Sequence, residues 1–100
     1  MLVIAGRIVI DPANRDRAIA AATEMMQETR KEKGCLSYVF SADLLDPACF
    51  RVFEEWESPQ ALAAHFESAH MVRFRAVVRS LGIREMAIQR YEVTSVAALQ

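Results

Sequence analysis

The sequence predicts a single α+β domain in the order βαββαβ, with an antiparallel sheet that carries helices on one face. Residues 2–10 and residues 83–94 are rich in β-branched and apolar side chains, as strands are. Between them a capping residue followed by proline, which is typical of a helix start, occurs at Asp11-Pro12 and again at Ser58-Pro59. One hundred residues is the size of one domain, so we expect residues 1–100 to fold as one unit.

The first helix is predicted to begin at Asp11-Pro12 and to stop at Gly34, a common helix-ending residue. Its apolar residues recur at helical spacing and define the face that should pack on the sheet: Ala18, Ile19, Ala22, Met25, Met26 and Thr29. Charged residues, Glu32 among them, take most of the opposite, solvated face.

Two alternating runs after this helix predict a hairpin. Cys35 to Asp43 should place Leu36, Tyr38, Phe40 and Ala42 on one face. Residues 45–48 supply turn residues, and the third strand then runs from about Cys49 to Glu57. Its two faces alternate, with the first formed by Phe50, Val52, Glu54 and Trp56 and the second by Arg51, Phe53, Glu55 and Glu57. The two cysteines fall at opposite ends of the hairpin, too far apart for a disulfide.

The second helical region begins at Ser58-Pro59 and is expected to break in phase near Ser68, with a further segment ending at Gly82. The last strand covers about Ile83 to Thr94. The complete order of elements is that of a ferredoxin-like fold.

Both faces of the predicted sheet are apolar, although the face away from the helices would meet water in a monomer. The first strand is apolar at nearly every position, and Val39 and Phe53 oppose Tyr38, Phe40 and Trp56. This pattern predicts a homodimer that buries the outer sheet face.

Composition excludes several classes of function. The net charge is −1 with no basic block, which argues against a nucleic-acid partner. No apolar stretch approaches the ~18 residues of a membrane span, and the N-terminus lacks the pattern of a signal peptide. We therefore expect a cytoplasmic protein with two reduced thiols and no membrane association.

Three side chains are candidates for chemistry because the strand-to-helix turn brings them together. Trp56 shares a strand face with Glu54, and His65 lies on the apolar face of the next helix. A carboxylate, an imidazole and an indole in an apolar pocket suit proton abstraction from a phenol or an enol. Core packing without chemistry is the alternative for each of them, and for Trp56 considered alone it is the better interpretation.

Other site types have less support in the sequence. His65 and His70 are five residues apart, so one continuous helix would not present both to a metal, and no acidic or cysteine partner is near in sequence. We therefore expect no metal site. The isolated glycines form no phosphate-binding loop. Arg73, Arg75 and Arg79 beside Phe74 form either a solvated helix face or a clamp for an anionic or phenolate substrate.

Several short motifs resemble the antibiotic biosynthesis monooxygenase family over about residues 2–94. They are Glu32-x-Gly34-Cys35-Leu36-x-Tyr38, Phe53-Glu54-Glu55-Trp56, Ala61-Leu62-x-x-His65 and His70-x-x-x-Phe74. The resemblance implies dimeric ferredoxin-like subunits whose sheets stack into a barrel, with a pocket between each sheet and its helices. It also implies oxidation of a quinol or polyphenol by molecular oxygen without metal, flavin or haem.

Carried onto this chain, the resemblance implies catalytic roles for His65, as base, and for Glu54, which would orient it. The substrate-binding residues would be Trp56, Tyr38, Phe40, Phe66, His70, Phe74 and Arg75. A haem-degrading branch fits less well, because Gly6-Arg7 and Arg75 stand where it needs an Asn and a haem-ligating His. The alternatives are a non-catalytic ligand-binding or stress-associated dimer, and an isomerase of a small phosphorylated signal sugar that uses Arg73 or Arg75.

Overall fold

The computed structural model describes all 100 residues and has the predicted order of elements. The strands are β1 (Leu2–Val9), β2 (Cys35–Ala42), β3 (Cys49–Trp56) and β4 (Glu85–Glu92), and the helices are α1 (Arg15–Thr29), α2 (Pro59–Phe66) and α3 (Ala69–Val78). The sheet order is β2-β3-β1-β4, and every neighbouring pair is antiparallel. The predicted ferredoxin-like fold is thereby confirmed. No helix has both the length and the apolar character needed to cross a membrane.

The first helix is shorter than predicted at both ends. Asp11 accepts a hydrogen bond from the backbone N–H of Ala13 (3.0 Å), but Pro12–Asn14 forms a 3-10 turn before α1 starts. The helix then ends at Thr29, five residues before Gly34. Glu32 consequently lies in the turn that leads to β2 and not on a solvated helix face. Gly34 closes that turn with a φ of +85°, a conformation that glycine adopts without strain.

The predicted break near Ser68 is confirmed. Ser58 caps α2 by accepting a hydrogen bond from the N–H of Ala61 (3.1 Å), and Ser68 caps α3 by accepting one from the N–H of Met71 (3.2 Å). Because each serine satisfies a free N–H at a helix start, the chain can change direction between α2 and α3. His65 and His70 therefore stand on different helices.

The start of β2 departs from simple alternation. A bulge pairs Cys35 with Trp56 and Ser37 with Glu55, so Cys35 lies on the helix-facing side. Leu36 is 55% exposed, which corrects its predicted place beside Tyr38. Cys49 begins β3, at the other end of that strand from the Cys35 pairing. Both thiols are free.

The core lies between the sheet and the helices in two clusters. One contains Leu2, Met25, Tyr38, Trp56 and Leu62, and the other contains Ile8, Ile10, Ala18, Phe50 and Leu81. The helices do not cover β4, all of whose residues are exposed. On the outer sheet face, Phe53 is 43% exposed and Tyr91 is 47% exposed.

Candidate active site

A cavity of about 500 Å³ lies between the helix-facing side of the sheet and helices α2 and α3. Most of its lining is apolar, and its volume is within the range of small-molecule sites. Both predicted catalytic residues, Glu54 and His65, line it. Five of the seven predicted substrate-binding residues also do so: Tyr38, Phe40, Phe66, Phe74 and Arg75. Trp56 and His70 are not part of its wall.

Trp56 lies beneath the cavity as a support and not in its wall. The indole is completely buried, and its Nε1–H donates a hydrogen bond to Oε1 of Glu54 (2.9 Å). Its ring also packs against the imidazole of His65, with centroids 4.9 Å apart. The predicted pocket tryptophan thus fixes the two polar residues without facing the cavity itself.

Glu54 is a carboxyl group in a mostly dry environment. It is 8% exposed and points from β3 toward the helices. Burial raises its pKa to about 7, the charge of Glu32 adds to the rise, and the hydrogen bond from Trp56 opposes it. Near neutral pH both protonation states of Glu54 are therefore populated, as a group that exchanges protons requires.

His65 is held by Glu32, and not by Glu54 as the sequence had suggested. The ring is 1% exposed, and its Nδ1 lies 2.6 Å from Oε2 of Glu32. Burial lowers the pKa of His65, against the raising effect of the Glu32 carboxylate. The hydrogen bond of the ring is made by Nδ1, so a neutral imidazole whose Nδ1–H donates to Glu32 leaves Nε2 as a free acceptor. That atom has the chemistry of a general base.

Glu32 also receives His70, so three side chains meet that the sequence did not connect. Nε2 of His70 lies 3.0 Å from the same Oε2 atom, and the three donor atoms all lie within 4.8 Å of one another. Because the helix breaks at Ser68, His65 and His70 can both contact Glu32 although they are five residues apart. The 2.6 Å separation of Nδ1 from Oε2 is that of a hydrogen bond. The three side chains are also of the types that can hold a metal ion, so Glu32 supplies the acidic partner that the sequence did not reveal.

The predicted arginine edge divides into two parts. Arg73 faces α1, where its Nε donates to Oε1 of Glu24 (2.9 Å), and it is absent from the cavity wall. Arg75 and Arg79 line the cavity, and Nη2 of Arg75 donates to the carbonyl oxygen of Phe66 (2.6 Å). Only the second part is available to a ligand.

Comparisons with known proteins agree with this architecture. The family model described as "Antibiotic biosynthesis monooxygenase" matches residues 1–77. A solved structure, Rv0793 from Mycobacterium tuberculosis, is 32% identical, covers 97% of each chain and has a TM-score of 0.85.

Two further matches are more distant in sequence. A Bacillus subtilis protein named "Putative monooxygenase YcnE" is 26% identical over 94% of this chain and 99% of its own length. A crystal structure from Deinococcus radiodurans shares the fold with a TM-score of 0.91 at 23% identity, over 100% of this chain and 99% of that one. The matched residues include β1 to β3, α1, α2 and nearly all of α3. They contain His65 on α2, Glu54 on β3 and Glu32 in the turn between α1 and β2. The chain belongs to the antibiotic biosynthesis monooxygenase family.

Proposed function

We propose that the protein is a cofactor-independent monooxygenase that oxidises a small electron-rich aromatic, of the quinol or polyphenol type, with molecular oxygen. The family and the named relative support a monooxygenase-like role. The observation that carries the proposal is the free Nε2 of a neutral, buried His65 beside a ligand-sized cavity. In a purely structural dimer, core side chains would fill this space. Here the space is open, with a volume of about 500 Å³.

The proposed reaction begins with loss of a phenolic proton to Nε2 of His65. The electron-rich ring then donates electrons to O₂, and a bond forms between a ring carbon and one oxygen atom. Loss of the proton on that carbon and cleavage of the O–O bond leave a carbonyl and release water. A hydroquinone and O₂ thus give a hydroxyquinone and one water molecule, with the ring oxidised and oxygen reduced.

The protein supplies three things to this sequence. His65 takes the first proton, and Glu54 is suited to exchange a second, because its pKa of about 7 keeps both of its states available. The apolar lining, which includes Phe40 and Phe74, excludes water and holds the ring. Tyr38 remains a neutral phenol in the cavity wall, because burial raises its pKa.

Oxygen uptake with a panel of quinols tests the role of His65. His65→Ala is expected to lower kcat by about 100-fold or more, the usual contribution of a positioned base. Gln60→Ala, an exposed change on the same helix, is the matched control and should be neutral. Equal rates for wild type and a folded His65→Ala protein would refute the assignment.

We also propose that the outer sheet face is buried in a homodimer. It presents apolar side chains, including the half-exposed Phe53, where a monomer would meet water. Phe53→Asp is expected to shift the protein to a monomer in sedimentation experiments. Glu67→Asp, an exposed change between α2 and α3, should not. An unchanged dimer in the Phe53 variant, or a wild-type monomer, would contradict this. We further propose a cytoplasmic location, because both cysteines are free thiols and the cytoplasm keeps thiols reduced.

A further inference from the structure

Three arginines line the cavity, and only Arg90 on β4 lies near a carboxylate, 4.0 Å from that of Glu92. Arg7 pairs with Glu85, Arg51 with Asp43 and Arg73 with Glu24, whereas Arg75 and Arg79 have no acidic group within 4.0 Å. Arg75 lies on α3 and Arg79 caps its C-terminal end in a helical conformation, four residues later, which places both on one face. Arg75 uses one donor on the carbonyl of Phe66 and keeps the others free.

Two guanidinium groups in one wall of the cavity suit an anionic ligand. A guanidinium stays charged at any working pH, and its planar donors match carboxylate and phosphate oxygens. The rest of the wall is mostly apolar, and the acidic group that lines it, Glu54, is bound to Trp56. The cavity therefore carries an excess of positive charge on its α3 side.

We propose that the aromatic substrate carries an oxyanion substituent, a carboxylate or a phosphate ester, that binds Arg75 and Arg79 while the ring lies toward His65. This rests on the proposed function for the chemistry of the ring, but the recognition of the anion is a separate property. It would make Arg75 and Arg79 the residues that determine specificity.

Anaerobic binding separates this proposal from the oxidation itself, because no turnover is needed. The probes are hydroquinone, 2,5-dihydroxybenzoate and 2,5-dihydroxybenzyl phosphate, with affinity measured by calorimetry. We expect at least one anionic probe to bind about tenfold or more tightly than hydroquinone. Arg75→Met and Arg79→Met should each remove most of that advantage of the anionic probe over hydroquinone.

Arg73→Met is the matched control, since Arg73 lies on the same helix but faces Glu24. The stronger of the two anionic probes identifies the oxyanion. Equal affinity for the neutral and anionic probes would overturn the proposal, and so would an equal loss in the Arg73 variant. Failure of oxygen uptake with preserved anion binding would count against the oxidation alone.

The contact of Glu32 with two histidines carries a second, independent inference. Oε2 of Glu32 accepts from Nδ1 of His65, and it is also held by Nε2 of His70. All three side chains are largely buried, with exposed fractions of 17% for Glu32, 1% for His65 and 13% for His70. Two donors on one oxygen atom fix the carboxylate in a turn that no helix constrains.

We propose that Glu32 is the positioning residue of His65 and that His70 holds Glu32 in place. The carboxylate selects the tautomer that presents Nε2 as an acceptor, and it stabilises the imidazolium that forms after proton transfer. The other groups around His65 are Tyr38, Glu54 and the guanidinium of Arg75. The role rests on the proposed function for its use in catalysis, but the tautomer is measurable without any substrate.

Glu32→Gln tests the positioning role with two readouts. Nitrogen-15 NMR of His65 should show a smaller share of the Nδ1–H tautomer, because an amide oxygen is a weaker acceptor than a carboxylate and the amide N–H can instead donate to Nδ1. The value of kcat should fall by about tenfold or more. The carboxylate raises the pKa of His65, so its removal should move the acid limb of the kcat profile to lower pH. Glu32→Asp should restore part of the activity, and Glu28→Gln on α1 is the surface control.

If Glu32→Gln does not fold, His70→Phe provides the second variant, with a weaker effect in the same direction expected. An unchanged His65 tautomer and an unmoved acid limb in either folded variant would overturn the proposal. A changed tautomer in a protein with no oxygen uptake would confirm the positioning and count against the proposed reaction.

Discussion

Replacing Glu54 with glutamine should change the pH dependence of stability by an amount that follows from the burial of its carboxyl. The pKa of Glu54 rises from its ordinary value near 4.5 to about 7 in the folded protein, chiefly through burial. Each pKa unit corresponds to about 1.4 kcal/mol, so ionising the buried group opposes folding by about 3 kcal/mol. Glutamine keeps an acceptor for Nε1 of Trp56 but has no proton to lose.

The direction is fixed by proton linkage. Between pH 4.5 and 7 the folded protein retains a proton on Glu54 that the unfolded chain has released, so stability falls as the pH rises through this window. Below pH 4.5 the wild-type protein holds this proton in both the folded and the unfolded state, so the difference in pH slope between the two proteins disappears there. Above pH 7 the glutamine protein should have gained about 3 kcal/mol relative to wild type.

Urea unfolding at fixed protein concentration, at steps from pH 4.5 to 8.5, measures this difference. Glu67→Gln, a change at an exposed residue with no ion pair, is the control and should give a constant offset from wild type. A difference between wild type and Glu54→Gln that stays within about 0.5 kcal/mol across the range would refute the reasoning, since buried-carboxyl linkage predicts several times more.

Three further changes test the packing around the site and the independence from a cofactor. Leu62→Ala should lower the free energy of unfolding by about 2–5 kcal/mol, because the side chain is 2% exposed in the cluster with Trp56; a loss below about 1 kcal/mol in urea unfolding would contradict that packing. Gly34→Ala should cost about 1–3 kcal/mol, because its φ is +85° and an added Cβ would lie 2.6 Å from Cβ of Ala61; thermal unfolding measures it, and an unchanged midpoint would count against the strain. Prolonged dialysis against EDTA should leave oxygen uptake unchanged, whereas a loss that a divalent cation restores would contradict a cofactor-independent reaction.

The fold was predictable because its signals are local. Asp11-Pro12 and Ser58-Pro59 each mark a helix start by their own chemistry, and the alternation in residues 49–57 defines both faces of β3 without reference to any other element. The predicted sheet faces of Cys35 and Leu36 were wrong. A bulge at the start of β2 reverses their sides, and nothing in the residue types marks that bulge. The early end of α1 was missed because Lys31 and Glu32 suit a helix well.

The site was predictable in its members more than in its connections. Glu54 and Trp56 share a strand face two residues apart, so their hydrogen bond follows from the strand period. The partner of His65 is 33 residues away in sequence, and no periodicity links a residue in a turn to one on a later helix. Two features of the fold create this contact, one that the sequence did not predict and one that it did. The end of α1 at Thr29 frees Glu32 to turn inward, and the break at Ser68 lets His70 approach from a second helix. On one continuous helix, two histidines five residues apart could not share a partner. Because His65 and His70 lie on two helices, both can contact Glu32. The Glu32 variant tests whether that contact serves His65.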